Sequence, residues 1–368
     1  MKLKFEYTNN LVNDLIKIEK YKTALDYLYL PTRVKQKMMY DAKLKKTHFS
    51  TSIEGNVLSY NQVEEVVKNK ADINRLTAEQ EVRNYWDALT FLENCKKQKR
   101  DLDLEFIFEL HDIIECKGKI KRINFREPTP PGVLFAVYDS STKRPEYIPP
   151  EACDIMPLIE ELILWYKTEN EIPIAIKAAI INYAFVSIHP FFDGNGRTSR
   201  ALATYVLMIN DYDFKGFNSF EEYYMSDLDG YYSSLQMGLP PLFYEGRENS
   251  PHLEIWVEYF VRIMALNAEN IYNQAKEASY KEQNIILSEL SKKDLTLIRY
   301  CLENKKFFIK PIEIASLFNV SSRVVNKWTV VWVSKGILEP ASGNIRIREY
   351  KLSEKFSKLK VSDIGFID

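Results

Sequence analysis

The sequence predicts a mainly α-helical fold that displays one β-hairpin and ends in a small winged-helix domain. Three observations lead there. Apolar residues recur at helical spacing through the body. One proline-bounded, β-prone stretch interrupts that pattern. After about residue 285 the chain reads as two short helices across a tight turn, followed by alternating residues.

The helical elements come first. Tyr85, Leu89 and Leu92 fall at i, i+4 and i+7, and Phe106, Leu110, Ile113 and Ile114 keep a similar spacing. Stops are expected at Gly55–Asn56, Gly118, Gly216 and Gly238, the last ahead of Pro240–Pro241. The most apolar run, Ile172 to Ile188, contains Lys177, Asn182 and Ser187, so it reads as a buried helix and not as a membrane span. Between Phe125 and Pro150, the run Val133-Leu134-Phe135-Ala136-Val137-Tyr138 is β-prone and is followed by Asp139-Ser140-Ser141. This predicts an exposed hairpin closed by prolines. In the tail, an apolar helix from Leu295 to Cys301 precedes Pro311 to Phe318, a turn at Asn319–Val320, and a helix opened by Ser321 that ends near Gly336. Ile337–Leu338, a Ser342-Gly343-Asn344 turn and the alternation Ile345-Arg346-Ile347-Arg348 complete the outline. The expected division is a helical region over 1–110, a central unit over 111–280 and the tail unit over 285–368.

Composition narrows the function classes. At 46% hydrophobic and 27% charged residues over 368, the chain can bury a core. Its net charge of −1 gives no gross attraction to nucleic acid or to anionic membrane. The charge is uneven, however: residues 291–368 carry fifteen Lys/Arg against eight Asp/Glu, a net +7, which leaves −8 on the rest. A basic tail on an acidic body suggests two separable tasks. Cys95, Cys116, Cys153 and Cys301 lack CxxC spacing, which argues against a zinc site or a disulfide framework and fits a reducing cytoplasm. No membrane partner is expected, and the N-terminus lacks the apolar stretch of a signal peptide.

The stretch His189-Pro-Phe-Phe-Asp-Gly-Asn-Gly-Arg-Thr-Ser-Arg200 carries the chemistry. A glycine-rich loop that opens a helix aims backbone N–H groups and the positive end of a helix dipole at one point, which is an anion site. Gly194 and Gly196 permit close approach, and Arg197 and Arg200 supply fork-shaped donors for phosphate oxygens. Asp193 is a hard oxygen ligand suited to Mg²⁺. His189 can accept a hydroxyl proton near neutral pH. Base, metal carboxylate and polyphosphate cradle together describe attack on a nucleotide phosphate.

At every defined position this stretch resembles the Fic family signature, H-x-F-x-[D/E]-G-N-G-R-x-x-R, and the resemblance covers roughly residues 45 to 245. It implies an all-α Fic bundle with a hairpin flap, and a protein adenylyltransferase that moves AMP from ATP, with Mg²⁺, onto a Tyr, Thr or Ser hydroxyl of a target protein or of itself. By the same resemblance His189 is the general base and Asp193 holds Mg²⁺. Gly194, Asn195, Gly196 and Arg197 bind the α- and β-phosphates, Arg200 binds the γ-phosphate, and Phe191 anchors the loop. Val133, Leu134, Phe135, Ala136, Val137 and Tyr138 pair with an extended segment of the target. Tyr231, in Tyr231-Tyr232-Ser-Ser-Leu235-Gln236, resembles a residue lining the base, although Leu239 stands where several relatives carry Asn.

Ser50-Thr-Ser-Ile-Glu54-Gly55 resembles the family's inhibitory motif. Ser50 and Glu54 share a helix face and Gly55 can end the helix, so Glu54 is expected to pair with Arg200 where a γ-phosphate would sit. Other readings stand beside this one. A Fic enzyme could transfer another phosphate-containing group or remove AMP. The chain could instead be a DNA-binding regulator, with Arg323, Lys327, Lys335, Arg346 and Arg348 on phosphates. Trp328, Val331 and Trp332 on the same helix suggest apolar packing or a protein partner, and a second copy of the chain is a further candidate partner.

Overall fold

The computed structural model describes residues 3–69, 77–115, 124–138, 144–306, 308–341 and 349–364, without the side chains of 282–286 and 362. The Gly118 stop, Cys116, the hairpin turn at Asp139-Ser140-Ser141 and the stretch from Ser342 to Arg348 lie outside the described residues.

The chain is mainly helical, with small antiparallel sheets. It forms two compact units, one of residues 1–25 and 36–273, the other of residues 26–35 and 274–368. The helices are α1 (Asn9–Tyr27), α2 (Thr32–Ile53), α3 (Tyr60–Lys68), α4 (Thr77–Gln98), α5 (Leu104–Ile114), α6 (Ala152–Thr168), α7 (Ile174–Ile188), α8 (Asn195–Ile209), α9 (Glu221–Ser226), α10 (Leu228–Gln236) and α11 (Leu253–Ser288). The tail adds α12 (Lys292–Glu303), α13 (Pro311–Phe318), α14 (Ser322–Ser334) and α15 (Glu354–Ser357). None of the described helices is long and apolar enough to cross a membrane.

In the larger unit the apolar spacing does what the pattern predicts. Helix α4 turns Val82, Tyr85, Leu89 and Leu92 inward, and α5 buries Phe106, Leu110 and Ile114. Asp103 starts α5 by accepting the Phe106 N–H at 2.8 Å. Helix α7 is apolar on nearly every side and lies buried along almost its whole length, packed on α8. Its three polar interruptions are buried with it. Lys177 reaches the Glu169 carbonyl at 2.5 Å, which lets the ammonium end in a hydrogen bond. Because α7 ends at His189 and α8 starts at Asn195, the two most buried helices fix both ends of the intervening loop.

The hairpin is shorter than the sequence suggests. Strands β1 (Val137–Tyr138) and β2 (Pro145–Tyr147) pair antiparallel, Val137 with Tyr147 and Tyr138 with Pro145. Val133 to Ala136 are not strand. Val133 N–H instead closes a turn on the Pro130 carbonyl at 3.0 Å, with Gly132 at φ +84°, so the prolines and glycine before them spend those residues on a turn.

In the smaller unit, α12 opens with a capping box between Ser291 and Asp294. Asn319 adopts left-handed geometry at the end of α13 and sets the tight turn into α14. Strands β3 (Phe308–Ile309), β4 (Leu338–Pro340) and β5 (Tyr350–Leu352) form an antiparallel sheet in the order β3-β5-β4. Trp332 and Val325 of α14 join Ile298, Ile309, Ile314 and Leu338 in the core. Trp332 is therefore a packing residue, not a partner surface. Trp328 is half-buried against the same core, whereas Val331 stays exposed.

Candidate active site

The loop from His189 to Gly194 is held from several directions. His189 caps α7 in left-handed geometry at φ 50°, its N–H still bonded to the Phe185 carbonyl at 3.1 Å. Asn195 braces the loop from inside, accepting the Phe191 N–H at 3.0 Å and donating to the Phe191 carbonyl at 2.8 Å. Phe191 is fully buried, its ring stacked on His111 at 3.5 Å, so its anchoring role is seen directly. Arg126 ties the loop to the hairpin stem. Its Nε donates to the His189 carbonyl at 2.9 Å, its backbone N–H to Pro190 at 2.9 Å, and its Nη2 to the Pro150 carbonyl.

These braces fix the electronic state of His189. Its Nδ1 lies 3.2 Å from the Val186 carbonyl. A carbonyl can only accept, so Nδ1 carries the proton and Nε2 keeps a lone pair. Burial, aided by the nearby Arg126 charge, pushes the imidazole pKa down to about 4 against the opposing pull of Val186, Glu54 and Asp193. The ring is thus neutral at pH 7 and able to take a proton.

Gly194 caps the N-terminus of α8 at φ 72°, a conformation that favours glycine. Its N–H donates to Asp193 Oδ1 at 2.7 Å, and the Asp193 side chain is 71% exposed at the rim. Arg197 and Arg200 project from the first turns of α8, both almost fully buried. Two buried guanidiniums beside a helix N-terminus make a strong anion cradle.

Each arginine already meets a carboxylate. Arg200 Nη2 lies 2.8 Å from Glu54 Oε1 and also donates to the Ser50 carbonyl at 2.9 Å, while its Nε donates to the Ser50 hydroxyl at 2.9 Å. Burial disfavours the Arg200 charge, but the groups facing it, Glu54 foremost with Tyr231 and Tyr85, together hold the Arg200 pKa above its ordinary value. Glu54 stands in the turn just past α2. Gly55 at φ +90° and the Asn56 N–H bond to Thr51 at 3.1 Å end that helix as the sequence suggests. A β-carbon on Gly196 would overlap the Glu54 carboxylate, so this glycine gives it room. Arg197 Nη2 lies 2.8 Å from Glu115 Oε1, at the end of α5.

A cavity of about 180 Å³ joins these parts. It is lined by Glu54, His189, Gly196, Arg200, Tyr231 and Tyr232, together with Val137, Tyr147, Val186, Leu235, Gln236 and Arg247. Small-molecule sites usually offer roughly 300 to 1,000 Å³, and here the Glu54 carboxylate is part of the wall. Tyr231 is buried and stacked on Tyr224 at 4.6 Å, so it serves the cavity and the core at once. Among the hairpin residues, Val137 lines the cavity and Phe135 approaches His189, with ring centroids 6.2 Å apart under the Arg126 guanidinium. Val133, Leu134 and Tyr138 are exposed. Sequence reasoning missed Ser50 as a direct partner of Arg200, and it missed Glu115, Tyr147 and Arg247. All come from distant segments, and only the inhibitory spacing hinted at such contacts.

Comparison with known proteins points to one family. Residues 101–207 match the Fic/DOC family. The chain is 26% identical over 199 residues to the protein adenylyltransferase Fic of Drosophila grimshawi, covering 53% of this chain and 39% of that one. It is 26% identical over 267 residues to the protein adenylyltransferase fic-1 of Caenorhabditis elegans, covering 70% and 48%. It thus spans less than half the length of these curated relatives. A crystal structure of a Fic family protein from Desulfovibrio desulfuricans superposes with a TM-score of 0.58 at 18% identity, covering 95% of this chain and 98% of that one, and shares the fold.

Proposed function

We propose, from the match of residues 101–207 to the Fic/DOC family, that this protein transfers AMP from ATP to a hydroxyl of a target protein or of itself, and that Glu54 restrains it. The observation that carries the reading is one cavity where a neutral histidine, the N-terminus of α8 and the Glu54–Arg200 pair meet. Incubation with ATP and detection of AMP on protein tests it.

His189 Nε2 takes the proton of the hydroxyl, whose oxygen attacks the α-phosphorus. That P–O bond forms as the bond to pyrophosphate breaks. Gly194, Asn195, Gly196 and Arg197 hold the α- and β-phosphates, and Arg200 the γ-phosphate once Glu54 withdraws. Positioning supplies most of what such transfers need. Val137 pairs with Tyr147 on one edge, and the hairpin offers its other edge to an extended target segment.

Mg²⁺ fits the site on the chemistry of its donors. Asp193 offers an exposed hard carboxylate beside the phosphate cradle. No group of three or more His, Cys, Asp or Glu among the described residues could hold a metal, so Asp193 would hold the ion together with nucleotide oxygens, as is usual for this ion. When bound, it neutralises phosphate charge. Asp193→Ala is expected to lose most transfer, and a chelator to have no further effect on the variant. Equal wild-type rates with and without chelator would contradict this role.

The pH dependence follows from the lowered imidazole pKa. A base must be unprotonated, so kcat/KM falls as pH drops through about 4 and is flat above it where His189 governs. Measured with Glu54→Gly, which removes a charge that raises this pKa, an inflection near the ordinary histidine value would contradict the assignment.

A second reading concerns the smaller unit, which we take to be a winged helix that binds DNA. Arg323, Asn326 and Lys327 are exposed along α14, the helix after the tight turn. Lys335, by contrast, is committed to Asp294 at 2.7 Å, and so does not join them. DNA binding by the full chain should weaken with salt by about 0.9 log units per log unit for each phosphate neutralised, and less steeply in Arg323→Ala/Lys327→Ala. No binding at low salt, or binding indifferent to salt, points to a protein partner instead. The thiols, with Cys95 and Cys301 buried and Cys153 exposed, suit a reducing cytoplasm.

A further inference from the structure

The two arginines of the phosphate cradle are engaged in different ways. Arg200 has both Nε and Nη2 satisfied, by Ser50 and by Glu54. Nothing can use that edge until Glu54 leaves. Arg197 has its Nη2 beside Glu115 Oε1 at 2.8 Å, with Asp193 Oδ1 farther away at 3.7 Å. Its Nε is buried and has no hydrogen-bond partner among the described residues. A buried donor left open is costly, and it sits at the helix N-terminus where an anion is favoured.

Glu115 ends α5, its side chain 9% exposed against 5% for Arg197. Its carboxylate lies so close to Gly194 that a β-carbon there would overlap it. The acid therefore packs against the loop itself and holds the guanidinium in place. A flexible arginine pinned at one nitrogen loses less freedom when it binds, which favours the ligand.

We propose that Glu115 is a positioning residue for nucleotide binding, acting through Arg197: it fixes the guanidinium so that Nε–H meets a phosphate oxygen. The inference deepens the nucleotide reading above and rests on it. The contrast with Arg200 separates a holder from a brake, because Glu115 leaves the neighbouring donor open whereas Glu54 and Ser50 close theirs.

The test is calorimetric titration of ATP with Mg²⁺ into the full-length Glu54→Gly protein, alone and combined with Glu115→Gln, with Arg197→Ala and with both. Glu115→Gln should weaken binding about tenfold, the scale of one charge-assisted hydrogen bond. On top of Arg197→Ala it should change nothing, since a residue acting through another is not additive with it. In turnover, KM for ATP should rise more than kcat falls. Glu115→Asp, which keeps the charge of the buried pair, should bind between the two and carries the test if the glutamine variant does not fold. Unchanged or tighter binding, or additive losses, would overturn the proposal, tighter binding marking Glu115 as a second brake. If the Glu54→Gly protein itself binds no ATP, the nucleotide reading fails and this inference with it.

Discussion

Replacing His189 with alanine is expected to lower AMP transfer by about 10² to 10⁴-fold, the usual contribution of general-base catalysis, while ATP still binds. The separation follows from geometry. The proposed phosphate cradle is built from α8 and its two arginines, whereas the imidazole sits at the end of α7, with Nδ1 turned to the Val186 carbonyl and Nε2 left to serve as the proposed base. The backbone braces on the loop, from Arg126 to the His189 and Pro190 carbonyls, do not involve the ring and survive the change. Initial rates and ATP titration of the same variant check both halves. Transfer near the wild-type rate would remove His189 from the role of base, and loss of ATP binding would make it a structural residue of the cradle.

Glu54→Gly is expected to raise AMP transfer, self-modification included, on the order of 100-fold, the scale of a misplacement of about 1 Å. In the resting site the Glu54 carboxylate takes up one nitrogen of Arg200 and crowds Gly196. On the proposed reading, a nucleotide then settles with its γ-phosphate displaced and its α-phosphate out of line. Ser50 binds Arg200 through both its hydroxyl and its carbonyl, so the arginine keeps its place when Glu54 is lost. Arg200→Ala should not mimic the release, because it removes the proposed γ-phosphate contact along with the proposed brake. Initial rates of AMP incorporation for wild type, Glu54→Gly and Glu54→Gly/Arg200→Ala decide the matter. A Glu54→Gly rate at or below wild type, with ATP still bound, would reassign Glu54 to AMP removal or to a plain helix end.

The parts of the site that were legible in the sequence are those that local chemistry dictates. The loop from His189 to Arg200 is contiguous, and two strongly apolar flanks force it to join buried helices. The helix stop at Gly55 was legible because a left-handed cap calls for glycine there. What the sequence did not reveal depends on contacts between distant segments. Glu115 finds Arg197 only when α5 packs beside α8, and Ser50 finds Arg200 only when α2 does. Strand propensity also overreached at Val133 to Ala136, where Gly132 and the prolines win locally and only Val137–Tyr138 pair. Lys335 looked like a free cation until the fold placed the buried Asp294 beneath it.

The most direct test of AMP transfer is to incubate the Glu54→Gly protein with Mg²⁺ and ATP carrying radioactive phosphorus at either the α or the γ position. Attack at the α-phosphorus with loss of pyrophosphate predicts that protein retains the α label and none of the γ label, and that His189→Ala abolishes retention. Retention of the γ label, or of neither while ATP binds, would contradict the account.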